Sequence, residues 1–161
     1  MRTAKKAVGL AFVMGMLSWI VGCGGKGDLG FMSNAVPTTG RVTVEGKPLP
    51  GANIRFIPTI QSTGGREASA MTDESGAYEM STLAPGVPPD QSKGVIPGEY
   101  IVVLSRVAMP DGGPPPADII DENDAIAKGL KQYVPAPYTN PETSPLKITV
   151  ASPKTEKNFD L

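Results

Sequence analysis

Two alternating runs stand between residues 40 and 57. Val42 and Val44 alternate with Arg41, Thr43 and Glu45, and Ala52, Ile54 and Phe56 alternate with Asn53 and Arg55. Period-two alternation between turn residues marks strands with one buried face. The same reasoning places strands at 40–44, 52–57, 67–72, 77–82, 100–105, 146–150 and 156–161. The run 100–105 is apolar on both faces, which puts it centrally in a sheet. Small Ala68 and Ala70 suit close approach of a second sheet. In the last run Phe159 and Leu161 are the expected buried residues.

The segments between these runs carry turn chemistry. Gly46 can take positive φ, Pro48 fixes φ, and Asp73-Glu-Ser-Gly76 is a four-residue turn. Residues 83–96, 109–116 and 133–145 are rich in Pro and Gly and read as loops. One helical pattern interrupts the strands, over 117–132. There Ile119, Ile126 and Leu130 fall at helical spacing. Asp118, Asp121, Glu122 and Asp124 lie early and Lys128 and Lys131 late, which complements a helix dipole. A short helix interrupted near Gly129 is expected. The prediction is an all-β protein, a seven-stranded sandwich with one short inserted helix.

The first 22 residues read differently. Arg2, Lys5 and Lys6 form a positive start, and residues 7–21 carry no charge. Fifteen mostly apolar residues are short for a membrane span, which needs about 20, and suit the apolar core of a signal peptide. The stretch ends Ile20-Val21-Gly22-Cys23. Residues 24–37 are Gly-rich without a period and read as a flexible tether, with Phe31 and Met32 incidental. The expected organisation is thus a signal peptide over 1–22, a tether over 23–37 and a sandwich domain over 38–161.

Composition narrows the chemistry. With 19 Gly and 17 Pro, these two residues make up about a fifth of the 161 positions, against a usual share of about 12%. The leader takes three basic residues and no acid, so 15 basic residues fall to 12 against 16 acidic ones. No basic stripe interleaved with aromatics is present, so nucleic acid is not an expected partner. The chain has no histidine, and its single cysteine is Cys23. No Ser-His-Asp or Cys-His arrangement, no zinc site built on His or Cys, and no disulfide within one chain can form. No cofactor is expected. Ser-Lys catalysis remains only a formal option.

Two resemblances follow from these residues. The leader ending at Cys23 resembles the lipobox of bacterial lipoproteins. That implies cleavage before Cys23, a diacylglyceryl thioether on its sulfur and an acyl group on the new amine. The order Gly40-x-Val42, Gly46-x-Pro48-Leu49-x-Gly51-Ala52-x-Ile54-x-Phe56, then Thr72-Asp73-x-x-Gly76-x-Tyr78, then Pro97-Gly98-x-Tyr100, resembles the carboxypeptidase regulatory-like, or transthyretin-like, β-sandwich. It resembles bacterial lipoproteins that carry one such domain after the lipobox. The stretch from Tyr138 to Leu146 and the ending Asn158-Phe-Asp-Leu161 also fit them. The resemblance implies an Ig-like or transthyretin-like sandwich rather than an activity. Transthyretin-like hydrolases rely on histidines that this chain lacks.

Four candidate sites can be weighed. Asp73, Glu74 and Ser75 offer oxygens to calcium, but calcium takes six or more ligands, so an Asp-started turn is the better reading. Asp118, Asp121, Glu122 and Asp124 form a denser acidic cluster whose spacing matches no EF-hand loop. Tyr133 and Tyr138 stand among prolines and are candidates to line a groove for glycan or peptide, the other reading being a packed loop that lies across the sandwich. Lys47 with Asn158 offers an isopeptide bond of the kind some adhesin domains form, although Lys47 falls on a turn.

The expectation is a non-enzymatic, exported protein, lipid-anchored through Cys23 to a bacterial membrane and facing the periplasm or cell surface. It would act as a structural or interaction module with an envelope protein or glycan as partner. The alternative is a module binding extracellular polysaccharide or peptidoglycan through Tyr133 and Tyr138.

Overall fold

A computed structural model describes residues 30–59 and 65–161. The signal helix, Cys23 and the first part of the tether lie outside the described residues. A 3₁₀ turn at Gly30–Asn34 precedes β1 (Thr38–Val44), β2 (Lys47–Pro48), β3 (Asn53–Pro58), β4 (Ala68–Met71), β5 (Ala77–Glu79) and β6 (Ser81–Thr82). There follow β7 (Gly98–Ser105), β8 (Val107–Ala108), the α-helix α1 (Glu122–Ala127), β9 (Lys131–Gln132), β10 (Lys147–Val150), β11 (Thr155–Glu156) and β12 (Phe159–Asp160).

These strands form an all-β sandwich. In the first sheet β1 is the centre, with β11 and β12 parallel to it and β2 and β5 antiparallel. The second sheet is antiparallel in the order β10-β7-β3-β4-β6, and β8 pairs β9 separately. Each of the seven predicted runs carries a strand. The apolar run 100–105 is central, as its two apolar faces require, between β3 and β10.

Two predicted strands are each divided in the structure. The run 77–82 changes sheets at Met80. Its first half pairs β1 and its second half pairs β4. The Met80 N–H donates to the Thr38 carbonyl at 2.9 Å, and its own carbonyl accepts from Gly94 N at 2.8 Å. The run 156–161 breaks at Lys157 and Asn158, between β11 and β12. Phe159 is buried there, whereas Leu161 is only half-buried.

The core is aliphatic around four rings. Phe56 and Tyr100 from the second sheet lie 6.0 Å apart. Phe159 from the first sheet meets Phe56 edge-on at 6.5 Å and stacks on Tyr78 at 6.2 Å. Val42, Ile54, Met80, Val102 and Leu104 fill the space around them with no exposed surface. Their even-numbered alternation is the pattern from which the strands were expected.

The helix is shorter than the spacing suggests. Asp121 caps it, its carboxylate accepting from Asp124 N at 2.8 Å. Gly129, at φ 86°, closes it. There Gly129 N donates to Ile126 O and Leu130 N to Ala125 O, both at 3.0 Å, a Schellman ending. Only six residues remain, and Ala125, not Ile126, turns inward: Ala125 is buried while Ile126 is half exposed. A small side chain lets the helix sit close on β8 and β9.

The sandwich also begins earlier than Pro37. Val36 is buried and exchanges two backbone hydrogen bonds with Val95, at 2.8 and 2.9 Å. Phe31 lies under the Arg66 guanidinium, 4.2 Å from its ring centre. The second half of the expected tether is therefore fastened to the domain.

Strand directions define two poles. At the near pole β1 and β7 begin, β6 and β10 end, and the Gly30–Asn34 turn and residues 83–97 gather. At the far pole β1, β4 and β7 end, and residues 45–51, 73–76 and 106–130 gather.

Candidate functional site

The far pole carries a groove of about 660 Å³. Met71, Pro114, Pro115, Ile119 and Ala125 supply apolar wall, Arg106 is its cation, and Glu74 and Asp121 are its carboxylates. The chain reaches this arrangement because β7 ends at Ser105, and residue 106 turns out of the sheet towards the loops. Arg106 Nε donates to Pro50 O at 2.6 Å, Nη1 to Val107 O at 3.2 Å and Nη2 to Gly112 O at 3.0 Å. Its backbone N–H donates to Gln132 Oε1 at 2.8 Å. One guanidinium thus ties together the loop before β3 and the proline-rich loop after β8. Arg106 forms no ion pair among the described residues. Its remaining N–H donors suit carbonyl or anionic oxygen.

Large exposed apolar side chains cluster at the same pole. Met71 is 67%, Ile120 87%, Ile126 50% and Met109 36% exposed. Apolar groups gathered on one face are a feature of interaction surfaces.

The tyrosines are placed otherwise than as walls of this groove. Tyr133 and Tyr138 are both half-buried against the core. The Tyr133 hydroxyl donates to Met109 O at 3.0 Å and lies 3.2 Å from Pro110 O. It holds the loop that forms one wall, with Arg106 6.0 Å from its ring centre. Tyr138 sits in a short 3₁₀ turn, Ala136–Tyr138.

The acidic candidates are engaged locally. One Asp73 carboxylate oxygen accepts from Ser75 N and Ser75 Oγ at 2.8 Å and from Ala77 N at 3.0 Å. These bonds, the Ser75 hydroxyl first, hold its pKa below the ordinary 3.8. That makes Asp73 a weak base, so the Ser75–Asp73 contact is a turn rather than an activated hydroxyl. In the second cluster Lys128 reaches Asp124 at 3.0 Å and Asp118 at 3.4 Å. Lys128 holds the Asp124 carboxyl below its usual range, and Asp124 raises Lys128 in return. Among the described residues no group of three or more His, Cys, Asp or Glu is arranged to hold a metal.

Two further placements complete the survey. Lys47 is exposed on β2, and Asn158 Oδ1 accepts from Arg41 N at 2.9 Å, so neither sits in a buried isopeptide site. Ser144 and Lys147 stand at Ser-x-x-Lys spacing, which the sequence reading passes over. Ser144 Oγ is buried and donates to Val102 O at 2.5 Å, while Lys147 is exposed on β10. The hydroxyl is committed to the main chain. Arg106 and the groove were also missed. A lone basic residue after an apolar strand reads like any surface charge.

The arrangement suits binding: a fixed cation stands beside apolar walls. No family model, curated protein or solved structure matches this chain.

Proposed function

We propose that this chain is a lipid-anchored, non-enzymatic β-sandwich of a bacterial cell envelope, of the carboxypeptidase regulatory-like kind, serving as a structural or interaction module. The observation that carries the anchoring is the leader itself: a basic start, fifteen uncharged residues and Val21-Gly22-Cys23 at its end. Each buried methylene contributes about 0.8 kcal/mol, so two or three acyl chains hold a protein on a membrane where one does not. No helix among the described residues is long and apolar enough to cross a membrane. The non-enzymatic reading is supported by the absence of histidine from the sequence and by the local engagement of Asp73, Asp124 and Ser144. The interaction reading is supported by the apolar groove and its unpaired Arg106. The groove offers a polysaccharide partner polar donors that Tyr133 does not, because the Tyr133 hydroxyl is held by backbone carbonyls.

The test is labelling with radioactive palmitate together with membrane fractionation. The wild-type protein takes up label and stays with the membrane, and Cys23→Ala loses both. Wild-type protein that takes up no label, with Cys23→Ala still in the membrane fraction, would reject the lipid anchor.

A further inference from the structure

The lipid reading has a geometric consequence at the near pole. Only six residues, 24–29, separate Cys23 from Gly30. Seven Cα steps span at most about 25 Å. Gly30–Asn34 is fastened to the near pole, through Phe31 under Arg66 and through the Val36–Val95 pair. The eight residues of β7 run seven steps from near pole to far pole, about 23 Å, and the far-pole loops extend beyond them. To lay the far pole on the bilayer, the link would have to run the whole length of the sandwich and round its loops. Its reach is too short for that.

The surface next to the attachment point fits a lipid interface. Residues 83–89 read Leu-Ala-Pro-Gly-Val-Pro-Pro and contain no charge. Leu83 is 43% exposed, the one large exposed hydrophobic of the described residues that is not at the far pole. Arg66, which holds Phe31, borders the same hollow as Leu83, Pro85 and Val87. Amphipathic surfaces of this kind settle at the headgroup boundary with basic side chains reaching to lipid phosphates.

We infer that the near pole, led by Leu83 and Val87, rests on the bilayer that holds the Cys23 lipid, and that the Arg106 groove faces away from it. This rests on the anchoring proposed above and adds the orientation of the anchored domain. Anchoring by lipid supplies the affinity, and the loop supplies the contact that keeps the sandwich upright. A partner that docks in the groove then approaches from the side opposite the membrane.

Single tryptophan probes test it. The native tryptophan, Trp19, lies in the leader, so the unmutated protein gives the background. Leu83→Trp and Ile120→Trp proteins are purified in lipidated form and reconstituted in phosphatidylethanolamine–phosphatidylglycerol vesicles with plain or brominated acyl chains. Leu83→Trp emission falls by roughly half with brominated chains, as expected for a residue at the acyl boundary, and Ile120→Trp emission is unchanged. Val87→Trp replaces Leu83→Trp if that variant does not fold. Vesicle-bound protein in which neither near-pole probe is quenched, or in which Ile120→Trp is quenched equally, overturns the orientation while leaving the anchor standing. Protein that does not stay with the vesicles at all overturns the anchor and the orientation with it.

Discussion

The Tyr78 hydroxyl and the Lys157 carbonyl oxygen lie 2.6 Å apart over Gly40. A Cβ on Gly40 would stand 1.8 Å from that oxygen and 2.7 Å from the hydroxyl. Here the last run of the chain breaks between β11 and β12, and the carbonyl left without a strand partner turns to the tyrosine. Gly40 is therefore a position of close approach in the middle of β1. Backbone cannot give way as a side-chain end can, so Gly40→Ala is expected to cost about 3 kcal/mol, or roughly 10 °C of melting temperature. Tyr78→Phe leaves the carbonyl unsatisfied and is expected to cost about 1–2 kcal/mol. Thermal unfolding of both variants and of the pair checks this. Tyr78→Phe will not rescue Gly40→Ala, because the clash with the carbonyl remains.

A second tyrosine closes a corner in the other sheet. Tyr100 Oη donates to Ile96 O at 2.6 Å, four residues back, and burial pushes its phenol pKa up. Pro97-Gly98 makes the bend and Tyr100 locks it, so this motif is a corner that starts β7. Tyr100→Phe keeps the ring in the core and removes only the bond. The expected loss is about 1–2 kcal/mol. It should appear as a lower denaturant midpoint with an unchanged slope. A changed slope would mean that the corner does more than stabilise the folded state.

How far the sequence could be read depended on whether a feature is local. Val42, Ala52, Ile54 and Phe56 announce their strands because a period of two with one buried face is written in neighbouring residues. The change of sheets at Met80 is not written there. Tyr78 and Met80 are both buried, so their alternation continues while the backbone exchanges one partner strand for another. Ile126 has helical spacing, but the cap at Asp121 and the Schellman ending at Gly129 leave a helix too short to use it. Val36 follows a Gly-rich stretch and looks like linker until Val95, 59 positions later, pairs with it. The groove joins residues from Pro50 to Ala125, and no short stretch marks it. Of the candidate residues, Asp73 was readable as a turn and Tyr133 and Tyr138 as part of a packed loop, but the carbonyls of Met109 and Pro110 that Tyr133 holds were not.

Asp73 makes the fold sensitive to acid in one window. Its folded pKa is lowered, by the Ser75 hydroxyl first and then by the Ala77 and Ser75 amides. A carboxyl with a depressed folded pKa stabilises the fold above its unfolded value. That contribution is lost as pH falls from about 4 through the lowered folded value. Asp73→Asn keeps an oxygen for the turn but cannot titrate. Melting temperatures at pH 7 and pH 3 should therefore differ less in Asp73→Asn than in the wild type. An equal difference would place the acid sensitivity elsewhere.

Arg106 gives the groove its shape. It binds the carbonyl of its neighbour Val107 and those of Pro50 and Gly112 in two separate loops, and its charge has no carboxylate partner among the described residues. Replacing it by methionine retains the apolar stem and removes every one of these bonds. Lysine retains the charge but not the planar fork that reaches three carbonyls. Charge-assisted bonds contribute about 1.5–3 kcal/mol each where both ends are held. The loop 109–113 is exposed, so a loss of about 2 kcal/mol in total is expected for Arg106→Met and somewhat less for Arg106→Lys. The sharper readout is local. Limited proteolysis should cut first near Asp111 in Arg106→Met, while the core strands stay protected. Cleavage no faster than in wild type would mean that the loop is held by Tyr133 alone, whose hydroxyl reaches Met109 and Pro110 from the other side.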